Sequence, residues 1–319
     1  MLQALAVRCF EQGVGLLQGG SAGTAAVLLG MAARLAPSNL DYQVGAAQAA
    51  LALGDRDGAA AYCERALEID PSHAATHDLL LGTFLHGENY LDVLIRIHRY
   101  LNPRTYIEIG VETGRSIRQV GADTRAIGVD PSPAIDGSLP SNVRIVAQTS
   151  DEFFARSDLG ELLAGAPVEL AFIDGMHQFE FALRDFTNLE RLSAPGGTIL
   201  IHDCFPHSRI TAERERHYVF WSGDIWRLIV LLMEHRPDLQ IHTIAAPPTG
   251  LALVRNLDPG SRFIPDNLER LCAKFLALEY SFLRKGRAEK LSLIPNDWNR
   301  VRALLDAPAG KISAGAPPA

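Results

Sequence analysis

The sequence predicts an α/β domain with a mainly parallel sheet, behind an all-α segment. Two observations predict it. From Pro103 to Asn256, short β-branched apolar runs alternate with helix-like stretches, whereas the residues before them are Ala-rich and repeat. The runs are TYIEIGV (105–111), RAIGVD (125–130), VRIVAQ (143–148), VELAFID (168–174), GTILIHD (197–203), LQIHTIA (239–245) and LALVRN (251–256). Strands apolar on both faces and separated by helices indicate parallel pairing with helices on each side. Only Ala246–Gly250 joins the last two runs. That link is too short for a crossover helix, so the seventh strand should run antiparallel to its neighbour. Residues 257–306 read as helices behind the sheet.

The 319 residues exceed what one core usually holds. The expected divisions are residues 1–100, 101–306 and a loose Ala/Gly/Pro-rich tail at 307–319. In the first part Ala25, Ala32, Leu35 and Pro37 return as Ala59, Ala66, Ile69 and Pro71, each 34 residues later by number. That period, with small residues inside helices and a proline after the second, is tetratricopeptide-like. It amounts to two and a half degenerate units over residues 5–100; a plain Ala-rich bundle is the alternative. Such repeats usually offer a surface to a protein partner or to a second copy.

Hydrophobic residues make up 47% and charged residues 21%, which excludes disorder, and the net charge of −7 disfavours nucleic acid. The basic run Arg214–His217 is interleaved with Glu213 and Glu215 and reads as solvated. Four scattered cysteines suggest free thiols in a reducing compartment. With no signal-like start and no apolar run long enough to span a bilayer, a cytoplasmic location away from membranes is expected.

The chemistry concentrates at predicted strand ends. The first strand runs into Glu108-x-Gly110-x-x-x-Gly114, where glycines permit a sharp turn and close approach of a ligand. Asp130, 20 residues after Gly110, can accept hydrogen bonds from ribose hydroxyls; a turn role before Pro131 is the alternative. After the third strand come Ser150 and Asp151, although Thr149 or Ser150 could simply cap a helix. Asp174 and Asp203 end the fourth and fifth strands, with His177 three residues past Asp174. Two carboxylates with nearby histidines suit a divalent cation such as Mg²⁺, and an imidazole can remove a hydroxyl proton. Alternatively Asp174 and His177 cap the helix that begins near Gln178. His202 precedes Asp203 and should point the opposite way if the strand persists. Asp185 reads as a helix-surface partner of Arg184 or Arg191, and His207 and His217 as loop residues. Ser222 or Asp224 is expected to cap the helix holding an inward Trp226, while Trp221 or Tyr218 would wall an acceptor pocket.

The stretch FIDGMHQFEFALRDFTNLERLSAPGGTILIHD (172–203), with IEIGVETGRS and WSGDIW, closely resembles class I S-adenosylmethionine-dependent methyltransferases related to cephalosporin and macrolide-sugar O-methyltransferases. The resemblance implies a seven-stranded, mostly parallel Rossmann-like methyltransferase sheet with an antiparallel last strand. It implies O-methylation of a small-molecule or sugar hydroxyl. Glu108, Gly110, Gly114, Asp130, Ser150 and Asp174 would bind S-adenosyl-L-methionine. His177, aided by Asp174, would be catalytic. Asp174, His202 and Asp203 would hold a cation, His202 replacing an acid of some relatives, which shifts the metal preference toward a softer ion. Glu112 replaces the usual middle glycine of the first turn. These two departures keep open the alternative, a donor-binding but non-catalytic module on a repeat scaffold. An NAD-linked oxidoreductase would need a GxGxxG that is absent.

Overall fold

A computed structural model describes residues 1–217 and 221–307; Tyr218 and the tail from 308 onward lie outside the described residues. The N-terminal part is helical throughout: α1 (Leu2–Gln18), α2 (Ala22–Leu35), α3 (Leu40–Ala52), α4 (Arg56–Ile69), α5 (Ala74–Phe84) and α6 (Tyr90–Leu101). Asn39 and Asp55 cap α3 and α4 by accepting the amides of Tyr42 and Gly58. The recurring Ala25, Ala32, Ala59 and Ala66 are all fully buried, so their small size lets helices approach closely.

Among the described residues eight strands follow, in the order β3-β2-β1-β4-β5-β7-β6-β8. They are β1 (Thr105–Ile109), β2 (Arg125–Val129), β3 (Val143–Val146), β4 (Val168–Ile173), β5 (Ser193–His202), β6 (Gln240–Ile244), β7 (Leu251–Arg255) and β8 (Leu293–Ile294). β7 runs antiparallel to both β5 and β6, and every other pair is parallel. The seven expected strands all form. The eighth was read as helix, because a two-residue strand is too short to show alternation.

Alternation along the strands divides the core between two faces. Ile107, Ile127, Ala171 and Ile199 pack with α9 (Phe179–Leu192), α10 (Trp226–His235) and α11 (Phe263–Leu276), but also with Cys63, Leu67, Leu80 and Phe84 of the N-terminal helices. Tyr106, Leu170, Phe172 and Leu200 face the other way, onto α6 and α13 (Trp298–Asp306). The helical segment is thus joined to the α/β core through buried side chains, and α6 covers one face of the sheet. No helix among the described residues is long and apolar enough to cross a membrane.

Candidate active site

All parallel strands end on one edge, and the turns there gather the polar residues. Gly110 has φ +87°, and a Cβ there would lie 2.0 Å from the carbonyl oxygen of Asp174, so β1 and β4 can turn side by side only with glycine. Glu112 adopts φ 48°, the left-handed conformation that a glycine at that position would take freely. The turn therefore keeps its course despite the substitution. Asp130 accepts the amides of Val111 and Glu112 at 3.0 and 2.8 Å, tying the end of β2 to the turn while staying partly exposed.

Glu108, expected to touch a cofactor, is fully buried and accepts hydrogen bonds from Tyr106 and Ser116. Burial pushes its carboxyl up to about 8 against those bonds. Its position beneath the turn makes it a brace for Ser116 rather than part of the exposed lining. Thr149 caps α7 (Ser150–Phe154) in a reciprocal box with Glu152, so Ser150 opens that helix without capping it. Asp185 is only 2% exposed, and burial raises its carboxyl to about 7, with Ser150 as a hydrogen-bonding neighbour. It is not the surface partner expected; Arg184 pairs with Asp151 instead.

At the ends of β4 and β5 four side chains meet. His177 Nε2 lies 3.0 Å from Asp203 Oδ2 and 3.6 Å from Asp174 Oδ1. His202 Nδ1 lies 3.0 Å from Asp174 Oδ1 and 3.1 Å from Asp203 Oδ2, and its Nε2 is 3.1 Å from Thr249 Oγ1. The expectation that His202 points away from Asp203 is corrected here: Asp203 has φ 56°, so the chain leaves the strand and strand alternation no longer applies. Burial opposes charge on His202, but the two carboxylates outweigh it and raise the ring to about 10. His177 is raised by the same balance, burial against Asp203 and Asp174. Asp203 is held well below the usual carboxylate range, its two histidines overcoming its burial.

Asp174, His177 and Asp203 offer donor atoms all within 4.8 Å of one another, a set of two carboxylates and an imidazole that fits a divalent ion. His202 differs from the expected ligand role: its two nitrogens already serve Asp174, Asp203 and Thr249, as a buried partner of the acids.

A second segment fastens the His177 loop. Trp221 stacks on the His177 ring, with centroids 4.7 Å apart and planes at 23°. A Cβ on Gly223 would stand 1.8 Å from the carbonyl oxygen of His177, and the amide of Asp224 donates to that same oxygen. Asp224 was expected to cap its own helix, α10; instead it caps α9 by accepting the amide of Phe179 at 2.6 Å. Arg214, read as solvated, bridges Glu180 and Asp224. His207 lies in a loop as expected but is buried, and burial lowers its ring to about 3. Trp226 packs inward as expected.

Two site residues carry no signal in the sequence. Tyr90, the first residue of α6, stacks on His202 at 3.7 Å, and Thr249 precedes β7. Both lie far along the chain from the acids.

The strand order with β7 reversed, the glycine turn after β1, and the acids closing β2, β4 and β5 together make a mostly parallel, Rossmann-like α/β sheet with its polar residues on one edge. Residues 107–204 match the family model described as a methyltransferase domain. Among solved structures, the chain is similar to cofactor-bound Rv0187 from MTB (19% identity, TM-score 0.41, covering 63% of this chain and 96% of that one). It is also similar to the O-methyltransferase TomG from Streptomyces achromogenes in complex with SAM (16%, TM-score 0.41, 63% and 89%). A third is the O-methyltransferase from Bacillus cereus in complex with SAH (14%, TM-score 0.39, 61% and 96%). No curated protein matches the chain.

Proposed function

We propose that the chain transfers the methyl group of S-adenosylmethionine to a hydroxyl of a small molecule or sugar. The observation that carries this reading is the convergence of His177 with Asp174 and Asp203 at the strand edge, beside the Gly110 turn. Gly110 and Gly114 leave room for the donor, Asp130 lies where ribose hydroxyls would be held, and Ser150 stands on the adenine side.

The donor supplies a sulfonium methyl: the acceptor oxygen bonds to its carbon as the C–S bond breaks and sulfur keeps the electron pair. His177 Nε2 is held by the carboxylates, and Nδ1, which has no hydrogen-bond partner among the described residues, takes the hydroxyl proton. Asp203 and Asp174 stabilise the imidazolium so formed and orient the ring, as the raised basicity of His177 implies. Trp221 holds the other face of that ring. A divalent ion on Asp174 and Asp203 would supply Lewis acidity toward the acceptor hydroxyl. Alignment of oxygen, methyl carbon and sulfur accounts for most of the rate, since positioning can contribute about 7–11 kcal/mol.

The test is formation of adenosylhomocysteine over a panel of hydroxylated acceptors, with and without Mg²⁺. His177→Ala is expected to abolish turnover while donor binding survives. Normal turnover in that variant removes His177 from the mechanism, and donor binding without product on any acceptor favours the non-catalytic module.

A further inference from the structure

Tyr90 belongs to the helical segment, yet its ring lies over the catalytic cluster. It stacks on His202 with centroids 3.7 Å apart and planes at 25°, and stacks more distantly, at 6.4 Å, against Phe172 of β4. Its amide donates to the carbonyl of Pro247, which fixes the start of α6 against the loop before β7. Its hydroxyl makes no hydrogen bond among the described residues. Burial, then Asp174 and Asp203, hold that hydroxyl in its protonated form, with Arg115 acting in the opposite sense. Arg115 follows Gly114 directly, is exposed, and has no ion pair or hydrogen bond among the described residues.

The sheet order says which part of a donor would meet these groups. With adenine beyond β3 and ribose at Asp130 on β2, the donor continues across β1 toward β4. Its remaining end carries an ammonium and a carboxylate. Asp174, at the end of β4, suits the ammonium. The carboxylate needs donors, and the Tyr90 hydroxyl and the Arg115 guanidinium have hydrogens uncommitted among the described residues.

Resting on the donor reading above, we propose that Tyr90 and Arg115 together hold the amino-acid carboxylate of S-adenosylmethionine, so that the helical segment contributes a donor-binding residue. The helical segment is then part of the donor site.

Calorimetry on the full chain tests this without knowledge of the acceptor. The probes are S-adenosylhomocysteine and its decarboxylated form, which differ only in the carboxylate. The unaltered chain should bind the first at least about tenfold more tightly, the effect of a hydrogen bond to a charged group. Tyr90→Phe keeps the ring on His202 and should shrink that preference to about threefold or less, and Arg115→Gln should do the same. An undiminished preference in both variants overturns the assignment alone, as does its absence in the unaltered chain. Failure of the unaltered chain to bind either compound overturns the donor reading and this assignment with it.

Discussion

Asp224 accepts the amide hydrogen of Phe179 at 2.6 Å, so the helix after the His177 loop is capped by a residue 45 positions further along the chain. The same carboxylate pairs with Arg214 and Arg227 and is fully buried. It links the helix start, the site loop and α10 in one network.

Asp224→Ala removes the cap and leaves Arg214 and Arg227 without their shared partner. The expected loss is about 3 kcal/mol of stability, read as a lower midpoint in urea unfolding. Asp224→Asn keeps an oxygen facing Phe179 and should lose roughly half as much. An unchanged midpoint for the alanine variant would sink the cap.

The pH dependence of turnover follows from His177. The ring must be neutral to accept a proton, and its pKa is raised above 6.5 because Asp203 and Asp174 outweigh burial. Turnover should therefore rise with pH through an inflection above 6.5, measured under saturating donor. An inflection below that value contradicts the carboxylate contacts.

Stability should fall on both sides of neutrality in metal-free buffer. His202 is raised from 6.5 to about 10 on folding, so its contribution is complete below 6.5 and is lost as pH climbs toward 10. His98 and His207 are depressed by burial to about 4 and about 3, so their contribution holds above 6.5 and declines as pH drops. Unfolding midpoints across the pH range check both limbs, and His202→Asn should flatten the alkaline one.

His202 also opposes a cation. A protonated ring 3.0–3.1 Å from Asp174 and Asp203 occupies the charge that a divalent ion would neutralise. His202→Glu adds a carboxylate in its place and should raise Mn²⁺ or Mg²⁺ affinity by about tenfold or more, by titration calorimetry. Equal affinity in both proteins would show that the ring does not compete.

The first turn offers a contrast between neighbours. Glu112→Gly relieves a left-handed non-glycine residue and should be neutral or stabilising by up to about 1 kcal/mol. Gly110→Ala forces a Cβ to 2.0 Å from the Asp174 carbonyl and should abolish donor binding, again by calorimetry. Retained binding in the alanine variant would mean the turn yields more than its packing implies.

The sequence by itself determined the strands, the reversed β7, the glycine turn and the placement of Asp174 and Asp203 at strand ends. These depend on periodicity, link length and local turn chemistry, which act over a few residues. Only the tertiary structure decided that Asp185 and Arg214 are drawn into packed networks, that His202 turns toward the acids, that Glu108 is closed off, and that Tyr90, Thr249 and Asp224 reach the site from distant segments. Burial and long-range pairing arise from how α6, β7 and α10 pack on the sheet, and no local pattern encodes a partner across so much chain. The short β8 escaped for a related reason: its two residues form a strand only because β6 offers an edge to pair with.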